Sequence, residues 1–137
     1  MTSFTIGTPG SDHIIIDVVK CDRTKTKDHD DYSWLPGTVV ISVGNFSGSY
    51  DFMPRIEEIE MFKNEISTLY QKLNGIATFE TLEDQIKLTL SGNGRGCIFV
   101  SGIATDSPGR GNRLHFTFDI DQTYLPNLIN ELDSIIS

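Results

Sequence analysis

From His13 to Lys20 the chain reads HIIIDVVK, with Ile14, Ile16 and Val18 on one side of an extended segment and Asp17 on the other. That alternation predicts a strand with one buried face. The thirteen residues that follow, CDRTKTKDHDDYS, have no hydrophobic period and read as a long exposed loop or hairpin tip. Pro36-Gly37 signals a turn, TVVISV (38–43) a buried strand, and FSGSYDF (46–52) a strand that pairs back on it, with Phe46, Gly48, Tyr50 and Phe52 on one side. The period then changes. Ile56, Ile59, Phe62, Ile66, Leu69, Tyr70 and Leu73 recur at three and four, the stripe of an amphipathic helix over about 55–73. Pro54 suits its first turn, Glu57 and Glu58 its N-terminal end and Lys72 its C-terminal end, and Asn74-Gly75 predicts a left-handed cap at Gly75. Period two returns in Ile76–Glu80, in Ile86, Leu88 and Leu90, in the near-continuous apolar run Cys97–Ala104, and in Leu114, Phe116, Phe118 and Ile120. GNGRG (92–96) and DSPGRGN (106–112) separate them as turns. Leu125, Leu128, Ile129, Leu132, Ile135 and Ile136 form the stripe of a second helix over about 123–136.

The order is three strands, a helix, four strands, a helix. Hairpin-length connections require antiparallel pairing, and the helical stripes need a sheet face to cover. The expectation is one α+β domain over 1–137, with an antiparallel sheet of six to seven strands, a meander in its second half, and two helices packed on it.

A chain of 137 residues is the usual size of one domain and buries enough surface to fold without disulfide or metal staples. Its two cysteines, Cys21 and Cys97, are too few for a disulfide framework, and Cys97 at the start of an apolar strand is expected in the core. The first twelve residues lack the basic and apolar regions of a signal peptide, and no run reaches the length of a membrane helix. Both point to a cytoplasmic protein with no membrane partner.

Net charge is −8 and unevenly spread. Residues 51–84 hold eight acids and three bases, residues 115–137 four acids and no base, and residues 85–114 four bases and one acid. Such a field repels nucleic acid and attracts basic proteins.

Catalytic patterns are absent. His13, His29 and His115 have no zinc-site spacing and there is no Cys-x-x-Cys. Asp28, His29, Asp30 and Asp31 lack the spacing of a calcium loop, and GNGRG leads into a strand where a phosphate loop would need Lys-Ser/Thr and a helix. Arg95 and Arg110 sit in turns at opposite ends of the strand 97–104, about 25 Å apart, too far to share one phosphate. No Gly-x-Ser-x-Gly elbow is present. The reading is a non-enzymatic binding protein without cofactor or metal.

The second half carries a resemblance. FKNEISTLYQKLNG (62–75), ATFETLEDQIKLTLSGNGRG (77–96), IFVSGIATD (98–106) and LHFTFDIDQTYLPNLINEL (114–132), with WL at 34–35 upstream, resemble the WapI family of bacterial immunity proteins over about residues 32 to 136. DQTYL (121–125) before an amphipathic helix is the most distinctive piece. The resemblance implies a cytoplasmic protein that neutralises the C-terminal domain of a contact-delivered or wall-associated toxin. Such toxins are often nucleases with basic clefts, which suits an acidic inhibitor. The family supplies no contact motif to carry across, so the expected toxin-binding residues follow from charge and exposure. They are Glu57, Glu58, Glu60 and Glu65 on the first helix, Glu80, Glu83 and Asp84 after it, and Asp28, Asp30 and Asp31 in the long loop, with Tyr32 and Trp34 as aromatic anchors. Two alternatives stand beside this reading: a housekeeping or structural binding module of unknown partner, such as a homodimer pairing through an edge strand, and a small hydrolase with a polar cleft around His29 or His115.

Overall fold

The computed structural model describes residues 2–19 and 34–136. Its strands are β1 (Thr2–Gly7), β2 (His13–Val18), β3 (Gly37–Val43), β4 (Phe46–Phe52), β5 (Asn74–Glu80), β6 (Ile86–Asn93), β7 (Cys97–Thr105) and β8 (Arg113–Asp121). Helix α1 (Ile56–Lys72) joins β4 to β5, and a 3₁₀ turn (Gln122–Tyr124) leads into α2 (Leu125–Ile136). The α+β class, the antiparallel pairing and the two helices are as the sequence predicts. The strand count is eight, and they form two four-stranded meanders, β1-β2-β3-β4 and β5-β6-β7-β8. The strand missing from the sequence reading is β1, whose TSFTIG buries only Phe4 and Ile6.

Register explains the core. In the first sheet Phe4, Ile16 and Val39 stand in one cross-strand row and Ile6, Ile14 and Ile41 in the next, all buried. In the second, Ala77, Leu90, Val100 and Phe118 form a buried row, and Phe79, Leu88 and Phe116, with the half-buried Gly102 between the last two, another. The helices add Ile59, Phe62, Ile66, Leu128 and Leu132 to the same cluster. Phe4, Phe62 and Phe79 meet at centroid distances of 6.0, 5.7 and 5.4 Å, so one aromatic triangle ties β1, α1 and β5 together. Lys63 pairs with Asp133 at 2.5 Å between the helices.

Three local expectations are corrected. Leu73, not Gly75, takes the left-handed C-cap conformation (φ 56°), and its N–H closes on the Leu69 carbonyl at 2.7 Å. The helix ends at Lys72, and β5 begins two residues on at Asn74. Cys97 is exposed, since Ile98 takes the inward position and alternation sends its neighbour out. Cys21 lies outside the described residues. Phe46 does not share the core with Phe52: it is 67% exposed while Phe52 is buried.

Gly102 is fixed by close approach. A Cβ there would lie 2.4 Å from Phe116 Cζ and 2.9 Å from the Lys87 carbonyl oxygen. Gly102→Ala is therefore expected to lose about 1–3 kcal/mol by overpacking, read as a lower urea midpoint at unchanged slope.

Candidate functional site

Helix α1 lies along the free edge of β5, and the turn between β5 and β6 closes the end of the space between them. That turn runs Thr81-Leu82-Glu83-Asp84. The Asp84 N–H reaches the Thr81 carbonyl at 3.0 Å, and Asp84 adopts a left-handed conformation (φ 60°). The result is a groove of about 640 Å³ lined by Glu57, Glu58, Met61 and Glu65 from α1, Thr78 and Glu80 from β5, and Thr81, Leu82 and Asp84 from the turn. Five of its nine lining residues are carboxylates and none is basic.

Two of those acids are structural ties. Glu58 Oε1 accepts the Arg55 N–H at 2.6 Å, capping the helix, and Oε2 accepts the Leu82 N–H at 2.6 Å, holding the turn against α1. Glu65 Oε1 accepts the Thr78 N–H of β5 at 2.7 Å. Burial raises the Glu58 carboxyl above the ordinary glutamate value, although the two N–H donors and Arg55 pull it down. Burial raises Glu131 of α2 likewise, opposed by the Thr5 N–H. A folded pKa above the unfolded one means that the ionised form is less favoured in the fold. These two groups therefore add stability as pH falls through their raised range and withdraw it above. NMR titration is expected to place both carboxyl midpoints above the ordinary glutamate value.

Glu57 sits 3.6 Å from Arg55, Glu80 stands opposite Lys87 across the β5–β6 ladder, and Asp84 is exposed at the turn. Sequence reasoning did not select the two apolar members. Met61 is 63% exposed and Leu82 67% exposed, so the acidic wall carries two hydrophobic contacts. Their signal was legible: Met61 stands off the apolar stripe of its helix, and Leu82 is the lone apolar residue in an acidic turn.

The structure thus brings Glu57, Glu58, Glu65, Glu80 and Asp84 to one groove. Glu60 lies on α1 outside it, and Glu83 faces the adjoining hollow with Asp51 and Asp106. Asp28, Asp30, Asp31 and Tyr32 lie outside the described residues. Trp34 is half-buried and bridges to Arg55, whose guanidinium lies 5.5 Å from the indole centre, so it braces the start of α1. Among the described residues no three of His, Cys, Asp and Glu converge to hold a metal, and no helix is long and apolar enough to cross a membrane.

The family model for the immunity protein WapI-like family matches residues 5–137. The chain belongs to that family. A WapI-like chain is thereby an immunity protein by kinship, and the family's role implies a toxin as partner. The match reaches upstream of the residues that carry the resemblance and takes in both meanders and both helices. No curated protein matches the chain.

Losing either tie should cost stability. Glu58→Ala leaves the Arg55 and Leu82 N–H groups to solvent, and a drop of about 1–2 kcal/mol is expected in a denaturant melt.

Proposed function

We propose that this chain neutralises a cognate toxin domain by binding it through the groove between α1, β5 and the 81–84 turn, without catalysis, and that a basic nuclease is the toxin class. The observation that carries the reading is the groove itself, in which carboxylates without a lining base surround exposed Met61 and Leu82. An arginine or lysine from the toxin would pair with Glu57, Glu80 or Asp84, while Met61 and Leu82 bury against its apolar surroundings. Burial is what makes such pairs count. Close pairs desolvated at a nuclease–inhibitor interface couple by about 1.5–7 kcal/mol, against about 0–1 kcal/mol at an exposed rim.

Glu58 and Glu65 shape the groove and contribute charge at a distance, their Oε1 atoms and the second oxygen of Glu58 being already spent on backbone N–H groups. Asp28, Asp30, Asp31 and Tyr32 are proposed as further toxin contacts on residue type alone. Occlusion of the toxin's active or substrate site follows if its cleft is the basic surface the groove attracts. The test is a binding titration with the toxin domain encoded beside the gene, run at low and high salt. A charge-led interface loses affinity as salt rises. A tight complex indifferent to salt would move the interface to apolar residues.

A further inference from the structure

Each sheet has two edges, and three of the four are guarded. The β1 edge is covered by α2, where Glu131 Oε1 accepts the Thr5 N–H at 3.2 Å. The β5 edge is covered by α1, where Glu65 does the same for Thr78. Strand β8 carries Arg113, His115, Asp119 and Asp121 on its exposed positions, and charge of this kind discourages pairing. Strand β4 is guarded only at its end, where Asp51 is exposed and its carbonyl accepts from Gln85 Nε2 at 3.1 Å; the stretch 46–50 has none of these devices on its free edge. Residues 46–49 are exposed, residues 46–50 (FSGSY) include no charge and no proline, and the pairing with β3 runs unbroken from Val43–Phe46 to Gly37–Phe52.

The segment is also a near-palindrome about Gly48. We propose that β4 is a self-pairing edge, on which a second copy of this chain docks antiparallel with the twofold axis at Gly48, joining the two first meanders into one continuous eight-stranded sheet. In that register Gly48 meets its own copy, Ser47 meets Ser49 of the second copy, and Phe46 meets Tyr50. The ladder supports it. Gly44 (φ 57°) and Asn45 form the two-residue hairpin loop, which closes on a hydrogen-bonded Val43–Phe46 pair. Alternation then turns the backbone groups of Gly48 toward β3 and those of Ser47 and Ser49 toward the free edge. Ser47 and Ser49 of the two copies can exchange both N–H···O bonds on either side of the axis. Gly48 falls at the close, non-hydrogen-bonded position, where a Cβ would meet nothing within 4 Å in the single chain.

Side chains agree. Phe46 and Tyr50 share a face, so the exposed Phe46 of each copy covers the half-buried Tyr50 ring of the other, an aromatic cross-strand pair. Tyr50 is already held, its hydroxyl donating to the Gln85 carbonyl at 2.6 Å. The net charge of −8 opposes association in general, yet the paired segment itself is neutral. None of residues 46–50 lines the acidic groove, so the two surfaces can be tested apart.

The experiment is sedimentation of the purified chain over a concentration series, with two double variants checked for native circular dichroism. The wild type should reach twice the 15.3 kDa chain mass. Ser47→Lys with Ser49→Lys sets lysine against lysine at both pairs and should hold the chain at single mass. Ser47→Lys with Ser49→Glu sets lysine against glutamate at both pairs and should restore the dimer. A wild type that stays monomeric up to millimolar concentration overturns the proposal, as does a dimer that both double variants leave unchanged. A monomer whose toxin binding is lost in the lysine pair would assign the edge to a toxin strand and likewise overturn self-pairing.

Discussion

Reversing Glu57, Glu80 and Asp84 to lysine is expected to weaken toxin binding by at least a hundredfold while leaving the protein folded. These are the groove acids without a backbone tie: Glu57 has only a 3.6 Å approach to Arg55, Glu80 faces Lys87 across the ladder, and Asp84 is exposed. Their reversal removes favourable pairs and adds repulsion against a basic partner, which costs more than neutralisation. A hundredfold is about 2.7 kcal/mol, within reach of a single desolvated pair. The contrast is Glu58 and Glu65, where substitution disturbs the fold first because their oxygens hold Arg55, Leu82 and Thr78. Melting curves separate the two. The triple variant is measured well below its midpoint, where it is still native. There it loses affinity beyond the modest destabilisation expected from lysine at the helix N-terminus and opposite Lys87, whereas Glu58→Ala acts first on the midpoint. A triple variant that binds as the wild type does would remove the groove from the interface.

The second large effect is on the fold. Phe62→Ala is expected to cost about 3–5 kcal/mol, a large share of the stability of a folded chain this size. Phe62 is fully buried and touches Phe4 of β1 and Phe79 of β5, so its loss opens a cavity where both meanders and α1 meet. Collapse is hindered because each wall of the cavity belongs to a different element. Urea unfolding measures the loss directly. A cost near 1 kcal/mol would mean that the two sheets are held together elsewhere, through contacts such as that of Tyr50 with Gln85.

The helices and the meanders were legible because one buried face leaves a strong period. Ile56, Ile59, Phe62, Ile66 and Leu69 are all buried as their spacing implies, and so are Leu88, Leu90, Phe116 and Phe118. The division into two sheets was not legible. Local alternation shows that a strand has an inner face and says nothing of which strand lies beside its edge. Strand β1 escaped because two apolar residues, Phe4 and Ile6, make too short an alternation to separate from a loop. At the site, the acidic residues could be named from charge. Their division of labour could not, since a helix glutamate that caps a neighbouring strand's N–H looks, in sequence, like one that faces water. Glu65 finds Thr78 only because α1 folds back along β5. Met61 and Leu82 were visible as apolar residues out of period, but their exposure on one groove depends on the turn that brings them together.

The central claim is that this WapI-like chain binds its toxin through the α1–β5 groove. Calorimetric titration of the wild type and of the Glu57, Glu80, Asp84 triple lysine variant with the neighbouring toxin domain tests it most directly. The predicted result is a tight, salt-sensitive complex for the wild type and at least a hundredfold weaker binding for the folded variant. Equal affinity for the two proteins would contradict it.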